Sequence, residues 1–172
     1  MSIYIIGAKK GLGKFIFEKI NSIAINRNNI NKIKNSKKNI FIICANNKYK
    51  YPDYKNFYNF YSDNILLIEK ISKMKHSHII YMSSIEVYYK NYLSEKSNLS
   101  REDYNPYAMS KIIAENIIIN NTKNYTILRL GALLGKYSNN LIARIINKKI
   151  KKTTLHEKST FNYILYDDVL LF

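Results

Sequence analysis

Several residue types are scarce in this chain, and each scarcity excludes a class of protein. The 172 residues include one cysteine, no tryptophan, two prolines and five glycines. The single cysteine, Cys44, rules out an internal disulfide and suits a reducing compartment such as the cytoplasm. With only three scattered histidines beside it, no structural zinc site is expected. No apolar run approaches the roughly 18–20 residues of a membrane helix, and the N-terminus lacks the pattern of a signal peptide.

Acidic residues are also scarce, at 12 against 28 lysines and arginines, which gives a net charge of +16. Asparagine, isoleucine, tyrosine and lysine make up 92 of the 172 residues, and all four have AT-rich codons. Phosphate-binding surfaces of nucleic-acid-binding proteins usually recruit arginine, but only 4 of the 28 basic residues here are arginine. A solvated basic surface is therefore favoured, and a nucleic-acid-binding protein is kept as an alternative. Such a surface would still attract a phosphorylated small molecule.

Short β-rich runs alternate along the chain with stretches of helical spacing. Strands are predicted at residues 3–6, 22–26, 40–44, 78–82, 125–129 and 162–165. Helices are predicted at residues 11–21, 64–74, 107–119 and 141–146, with a tyrosine-rich loop or ragged helix at 49–61. This alternation predicts an α/β protein with a parallel sheet that is covered by helices on both faces.

A glycine-rich turn, Gly7-Ala8-Lys9-Lys10-Gly11-Leu12-Gly13, joins the first strand to the first helix. Such a turn places free backbone N–H groups and the positive end of the helix dipole beneath a diphosphate. Glycine permits the turn at position 7, close approach of the phosphates at position 11, and close packing of helix on strand at position 13. The spacing alone is weak evidence, and an ordinary turn is the competing interpretation.

The residues after the second strand bear on the choice of dinucleotide. NAD-binding proteins usually carry Asp or Glu there to hold the adenosine ribose. This chain has Asn26-Arg27 at that place, with Lys9 and Lys10 in the glycine turn. These cations would attract a 2′-phosphate, so NADP is the predicted cofactor, with NAD as the alternative.

A serine, a tyrosine and a lysine form the core of the candidate catalytic set, and Glu86 is its fourth member. Tyr107 and Lys111 are four residues apart on one predicted helix and share a face, and Ser84 lies just past the predicted end of a strand. A cation about 5 Å from a phenol contributes roughly 3 kcal/mol at an effective dielectric near 20. Lys111 together with an oxidised nicotinamide is therefore expected to lower the pKa of Tyr107 towards neutrality. Tyr107 could then exchange a proton with a sugar or alcohol oxygen that Ser84 holds in place.

These motifs together resemble the short-chain dehydrogenase/reductase superfamily, and most closely its extended branch, the NAD-dependent epimerase/dehydratase family. The resemblance covers nearly the whole chain in the family's order. It rests on Gly7, Gly11 and Gly13; Cys44-Ala45; Asn64; Ser83-Ser84-Ile85-Glu86-Val87-Tyr88; Asn105-Pro106-Tyr107 with Lys111 and Glu115; Leu128-Arg129-Leu130-Gly131 with Gly135; and Tyr166-Asp167-Asp168-Val169.

The resemblance implies an NAD(P)-binding Rossmann fold and a nucleotide-sugar substrate of surface-polysaccharide synthesis. Ser84 and Tyr107 would act at the reacting oxygen, while Lys111 would bind the nicotinamide ribose. The predicted cofactor-binding residues are Gly7, Lys9, Lys10, Gly11, Leu12, Gly13, Arg27, Cys44, Ala45, Asn64 and Lys111. The oligomeric state is left open, although the helix that carries Tyr107 often forms dimer contacts in the family.

Three departures from the family pattern carry expectations of their own. Only 13 residues separate the second and third predicted strands, so an edge strand is expected to be missing. Dehydratases carry two acids after the catalytic hydroxyl, whereas this chain has Ile85 and then Glu86, which favours epimerisation, decarboxylation or keto reduction. The chain ends at Phe172, where extended members enter their substrate domain. We therefore expect residues 1–172 to form the cofactor domain with the substrate domain largely absent, and a catalytically weak NADP-binding remnant or partner subunit is the main alternative.

Overall fold

A parallel five-stranded sheet forms the centre of the protein. The computed structural model describes residues 1–26, 28–47, 49, 51–88, 104–150, 154 and 160–172. The strands are β1 (Ser2–Ile6), β2 (Ile23–Ile25), β3 (Asn39–Ile43), β4 (His78–Ser84) and β5 (Tyr125–Leu130), arranged in the order β2-β1-β3-β4-β5. The predicted α/β fold with a Rossmann-like parallel sheet is confirmed.

Helices cover both faces of this sheet. They are α1 (Gly11–Lys19), α2 (Tyr54–Tyr61), α3 (Leu67–Ser72), α4 (Pro106–Asn121), α5 (Leu141–Ile146) and α6 (Tyr166–Leu171). A second, two-stranded parallel sheet pairs β6 (Ala132–Leu134) with β7 (Tyr163–Leu165). In the part of the chain that the structure describes, no helix combines the length and apolar character needed to cross a membrane.

The core consists of two apolar layers, one on each face of the sheet. Side chains alternate along β1, so Tyr4 and Ile6 join the layer beneath α3 and α4, while Ile5 joins the layer beneath α1 and α6. Burial on both faces explains why the strands read as nearly continuous apolar runs.

The order of the strands reverses between β1 and β3, and this point positions the functional site. From β1 the chain passes to β2 on one side, then returns to β3 on the other side. Gly7 and Cys44 follow directly after these two strands. In open α/β sheets, ligands bind outside the carboxyl ends of the strands at such a switch point.

The connection from β2 to β3 is as short as the sequence predicts. Its described residues contain one 3₁₀ turn, Ile30–Lys32, and no strand. The sheet therefore ends at β2, in agreement with the expected absence of an edge strand. Arg27, at the start of this connection, lies outside the described residues.

Five segments differ from the sequence prediction. The predicted ragged segment forms a regular helix from Tyr54, because Asp53 accepts a hydrogen bond from the backbone N–H of Asn56 at 2.8 Å. The helix predicted over residues 64–74 is the continuation of α2 through a π-helical turn, Ser62–Leu66, into α3. Strand β4 extends two residues beyond its predicted end, to Ser84, because its pairing with β5 continues to the Ser84–Leu130 register. Strand β6 and helix α6 were not predicted from the sequence.

Candidate functional site

The glycine turn adopts a backbone that side chains would obstruct. Gly7 has φ of +95° and Gly11 has φ of +60°, values that L-residues with a Cβ rarely adopt. A Cβ on Gly7 would lie 2.6 Å from the backbone nitrogen of Ala45, after the neighbouring strand β3. The turn therefore passes against the end of β3 with no room for a side chain.

Gly13 lets the first turn of α1 contact the backbone of this same glycine turn. A Cβ at Gly13 would lie 2.4 Å from the carbonyl oxygen of Gly7 and 3.0 Å from the Cβ of Cys44. This is the close helix-to-strand approach that the sequence predicts for the third glycine. It fixes the start of α1 directly over the ends of β1 and β3.

The N-terminus of α1 presents free backbone N–H groups. Its N-cap residue is Lys10, whose side chain makes no capping hydrogen bond, and the N–H of Lys14 is the first to bond back to Lys10. The amides of Gly11, Leu12 and Gly13 have no acceptor among the residues that the structure describes, so they can bind an external acceptor. Together with the helix dipole, they form a cradle that fits a diphosphate.

A cleft of about 820 Å³ opens at the switch point of the sheet. It brings together most of the residues predicted from the sequence: Gly7, Lys9, Lys10, Leu12, Gly13, Cys44, Ala45, Ser84 and Tyr107 all line it. Four predicted residues, Gly11, Glu86, Asn64 and Lys111, do not contribute to its wall. Sequence reasoning missed Asn46, Asn47 and Gly131, which also line the cleft. Their place in the sequence could have identified them, because each follows the end of a predicted strand.

Asn64 supports the cleft wall from behind. Its side chain is buried, accepts a hydrogen bond from the N–H of Asn47 at 2.7 Å, and donates one to the carbonyl of Asn47 at 2.9 Å. Asn64 was predicted as a cofactor-binding residue. In the structure it holds the backbone of the loop that follows β3 and does not face the cleft.

Tyr107 lies in the first turn of α4, opposite the end of β4. Pro106 is well suited to the first position of the helix, and the side chain of Asn105 caps it by accepting from the N–H of Ala108 at 2.9 Å. The hydroxyl of Ser84 lies close enough to the phenol of Tyr107 to influence its pKa. The side-chain amide of Asn46 lies 3.5 Å from the Tyr107 oxygen. One hydroxyl pair therefore faces the cleft at the carboxyl end of β4.

The pKa of Tyr107 is raised above its ordinary value, in contrast to the lowering expected from the sequence. Burial is the main cause, the Glu86 carboxylate adds to it, and the hydrogen bond from Ser84 opposes it. The expected lowering relied on Lys111 and an oxidised nicotinamide together. Lys111 alone does not offset the burial, because its ammonium lies 5.8 Å from the centre of the Tyr107 ring and donates elsewhere.

Lys111 is 2% exposed and lies beneath the cleft. Its ammonium donates a hydrogen bond to the carbonyl of Met82 at 2.9 Å and stands 4.7 Å from the ring centre of Tyr81. Burial lowers the pKa of Lys111 to about 8. The ammonium is therefore mostly charged at neutral pH, but close to the range in which it loses its proton.

Glu86 lies in a 3₁₀ turn, Ile85–Val87, that follows β4. Its carboxylate accepts a hydrogen bond from the side-chain amide of Asn105 at 3.1 Å, and its backbone N–H donates to Ser84. Glu86 thus connects Ser84 to Asn105, the cap of α4. Its negative charge acts on Tyr107 from this position.

Cys44 and the described histidines have structural surroundings. Burial raises the pKa of the Cys44 thiol to about 12, so the thiol is neutral at physiological pH. His78 is hydrogen-bonded to Thr126, and His76 to Met74 and Thr122. Among the described residues, no three His, Cys, Asp or Glu side chains form a group that could hold a metal ion.

Comparison with known proteins assigns the family. A model of the NAD dependent epimerase/dehydratase family matches residues 30–168. Its match begins after the glycine turn, so the turn is an independent observation. No curated protein sequence matches the chain.

Solved structures agree on the fold. The dTDP-4-dehydrorhamnose reductase of Bacillus anthracis, solved with NADP, is 20% identical with a TM-score of 0.79, and the match covers 99% of this chain and 69% of that one. The UDP-glucuronic acid 4-epimerase of Bacillus cereus, solved with UDP-glucuronic acid and NAD, is 16% identical with a TM-score of 0.74, over 99% and 71% of the two chains. MoeE5, solved with UDP-glucose and NAD, is 16% identical with a TM-score of 0.79, over 99% and 69%.

Proposed function

The chain belongs to the NAD dependent epimerase/dehydratase family, and from this premise we propose that it binds NADP and transfers hydride to or from a nucleotide sugar. The observation that carries the proposal is the shared cleft. The glycine turn, Ser84 and Tyr107 line the same cleft at the carboxyl end of one parallel sheet. The diphosphate of the dinucleotide and the reacting oxygen of the sugar would thus lie in one cleft.

The residues present fit a dinucleotide. The free N–H groups at the start of α1 would hold the diphosphate, and Ala45 and Cys44 would form the wall beside it. Lys9 and Lys10 are exposed at the cleft and would hold a 2′-phosphate. No Asp or Glu occurs between Glu18 and Asp53, so the carboxylate that NAD-binding proteins use at the end of β2 is absent from the sequence. NADP is proposed for this reason, and NAD is the alternative.

The nicotinamide, when bound, supplies or accepts the hydride. The protein's own contribution is the proton and the positioning of the oxygen. Ser84 donates a hydrogen bond to the reacting oxygen, and Tyr107 exchanges a proton with it. Lys111 contributes positive charge from beneath the cleft. The pKa of Tyr107 is not lowered, so its phenol is protonated at neutral pH. Reduction of a keto sugar requires this form, because Tyr107 then gives a proton to the sugar oxygen.

The substrate class comes from the family and from the structural relatives, which were solved with UDP-sugars or named for a dTDP-sugar. Ile85 stands where dehydratases carry the first of two acids, so keto reduction, epimerisation or decarboxylation is proposed in preference to dehydration. A role in surface-polysaccharide precursor synthesis, in the cytoplasm, is proposed with it.

A binding measurement tests the cofactor, and a variant tests the chemistry. We expect NADPH and NADP to raise the melting temperature more than NADH and NAD, and Gly11→Asp to abolish the shift. Tyr107→Phe should keep NADPH affinity but lower the rate of NADPH oxidation on UDP- and dTDP-linked keto sugars by about 10²–10⁴-fold. Tyr54→Phe, at a fully exposed phenol on α2, is the matched control. The proposal fails if none of the four dinucleotides binds.

A second candidate function is dinucleotide binding without turnover, as in a sensor or partner subunit. The raised pKa of Tyr107 favours it, because a phenol with a raised pKa is a weaker acid and gives up its proton less readily. Tight NADPH binding with no hydride transfer on any keto sugar would support this candidate.

A further inference from the structure

A buried ion pair connects the helix that carries Tyr107 and Lys111 to the two strands beneath it. Glu115 is 3% exposed and lies one helical turn after Lys111 on α4. Its carboxylate accepts a hydrogen bond from the hydroxyl of Ser83 on β4. It also accepts two hydrogen bonds from the Arg129 guanidinium on β5, one from Nη2 at 2.8 Å and one from Nε at 3.2 Å. One carboxylate therefore holds three elements together.

The Glu115 carboxylate also lies one helical turn along α4 from the buried ammonium of Lys111. Among the described residues, the groups that act on Lys111 are Tyr107 and Glu115 on its own helix, Tyr81 on β4, Cys44 after β3, and the carbonyl of Met82. The thiol and both phenols have raised pKa values and are neutral at physiological pH. Glu115 is therefore the one group of this set that carries a negative charge when Lys111 is charged.

We propose that Glu115 is a positioning residue with two effects: through Ser83 and Arg129 it fixes α4 against the ends of β4 and β5, and its charge keeps Lys111 an ammonium inside the protein. Any effect of Glu115 on turnover rests on the proposed function. The charge of Lys111 can be measured whether or not the protein is an enzyme.

Burial decides which cation depends more on Glu115. The Arg129 side chain is 24% exposed and stands 4.9 Å over the ring of Tyr88, so water and an aromatic face also stabilise its charge. Lys111 is 2% exposed, and its ammonium has one carbonyl as a hydrogen-bond partner among the described residues. A buried cation loses its charge when its anion is removed. Neutralising Glu115 should therefore act mainly on Lys111.

Two substitutions at this position separate charge from geometry. Glu115→Gln keeps the length of the side chain and an acceptor for Ser83, but removes the charge. Glu115→Asp keeps the charge and withdraws it by one methylene. Glu69→Gln is the matched control, because Glu69 is an exposed carboxylate on α3 that pairs with Lys73. Arg129→Gln removes the cation that pairs with Glu115. The negative charge of Glu115 then acts on Lys111 without competition from Arg129.

The readout is the titration midpoint of Lys111, measured by NMR on the full chain with isotope-labelled lysine and assigned by the signal that Lys111→Met loses. In Glu115→Gln we expect the midpoint to fall by about one pH unit or more. In Glu115→Asp it should stay within about half a unit, and in Glu69→Gln it should not change. In Arg129→Gln it should rise. The pH above which NADPH binding weakens should move in the same direction in each variant.

Several outcomes would overturn the inference. An unchanged midpoint in a folded Glu115→Gln protein would mean that its charge does not act on Lys111. An equal fall in Glu115→Asp would mean that geometry alone matters. If Glu115→Gln does not fold, a midpoint that fails to rise in Arg129→Gln decides against it. A wild-type protein that binds no dinucleotide would refute the proposed function, whereas the lysine titration would still decide on Glu115.

Discussion

A Cβ on Gly13 would lie 2.4 Å from the carbonyl oxygen of Gly7, closer than non-bonded atoms can approach. The two glycines therefore allow the start of α1 to contact the turn after β1. We predict that Gly13→Ala pushes the helix away from the turn, lowers the free energy of unfolding by about 1–3 kcal/mol, and weakens NADPH binding more than tenfold. Thermal unfolding and NADPH titration measure the two effects.

Gly11→Ala is the comparison for this prediction. A Cβ there has open space, with the Tyr166 hydroxyl 3.6 Å away, and the strain comes from φ of +60°. That conformation costs an alanine about 1–2 kcal/mol. If Gly13→Ala leaves NADPH affinity unchanged, the close contact does not shape the cradle and the prediction is wrong.

We predict that Lys111 lowers the free energy of unfolding at neutral pH although the proposed reaction needs it. Its pKa is about 8 in the folded protein, against an ordinary value of 10.5. A depressed lysine pKa means that folding disfavours the ammonium, by roughly 3 kcal/mol when both states are protonated. Lys111→Met should therefore raise the melting temperature at pH 7 while abolishing NADPH-dependent turnover.

The pH dependence gives this prediction its sign. Between about pH 8 and 10.5 the unfolded chain holds more protons on Lys111 than the folded protein does, so wild-type stability gains from this group as the pH rises. The stability advantage of Lys111→Met should be greatest below pH 8 and should shrink towards pH 10.5. An advantage that is constant with pH would contradict the assignment of the shift to Lys111.

The strands of the main sheet could be predicted from the sequence because both of their faces are buried. The run Ile40–Ile43 has no other stable placement than the centre of a sheet, and the glycine turn followed from its place after β1. The Ser84–Tyr107 pair was also predictable, since one residue lies by a strand end and the other starts a capped helix.

Elements that depend on tertiary contacts could not be predicted. The short helix α6 exists because the ring of Tyr166 packs on Gly135, where a Cβ would lie 2.4 Å from the ring, and against Phe15. A six-residue helix has too little local preference to form without such packing. The raised pKa of Tyr107 in the protein alone could not be predicted either, for a related reason. Burial and the placement of Glu86 are properties of the fold, and no spacing in the sequence encodes them.

Asn64 is predicted to act on cofactor binding without contacting the cofactor. Both functional groups of its buried amide bond the backbone of Asn47, which lines the cleft. Asn64→Ala removes two hydrogen bonds to the half-buried backbone of Asn47, which should cost about 1–3 kcal/mol of stability. NADPH affinity should fall several-fold as the loop after β3 loses its support.

Asn116→Ala is the matched control, because Asn116 is an exposed amide on α4 that bonds the carbonyl of Ile112. Its effect on stability should stay within about 0.5 kcal/mol. Calorimetry and NADPH titration compare the two variants. Equal effects would show that the Asn64–Asn47 contact has no special role.

Lys9 and Lys10 are predicted to discriminate NADPH from NADH. Both are exposed at the cleft, so each contact with a 2′-phosphate should be worth about 0.2–1 kcal/mol, or up to about fivefold in affinity. Replacing both by alanine should weaken NADPH binding by up to about 25-fold and leave NADH binding nearly unchanged.

Added salt should weaken NADPH binding to the wild-type protein and have less effect on the double variant, because exposed charges are screened. Lys123→Ala, an exposed lysine beside the amino end of β5 at the opposite edge of the sheet, should alter neither. Equal losses for both dinucleotides would place the two lysines at the shared diphosphate and would leave the preference for NADP without a structural cause.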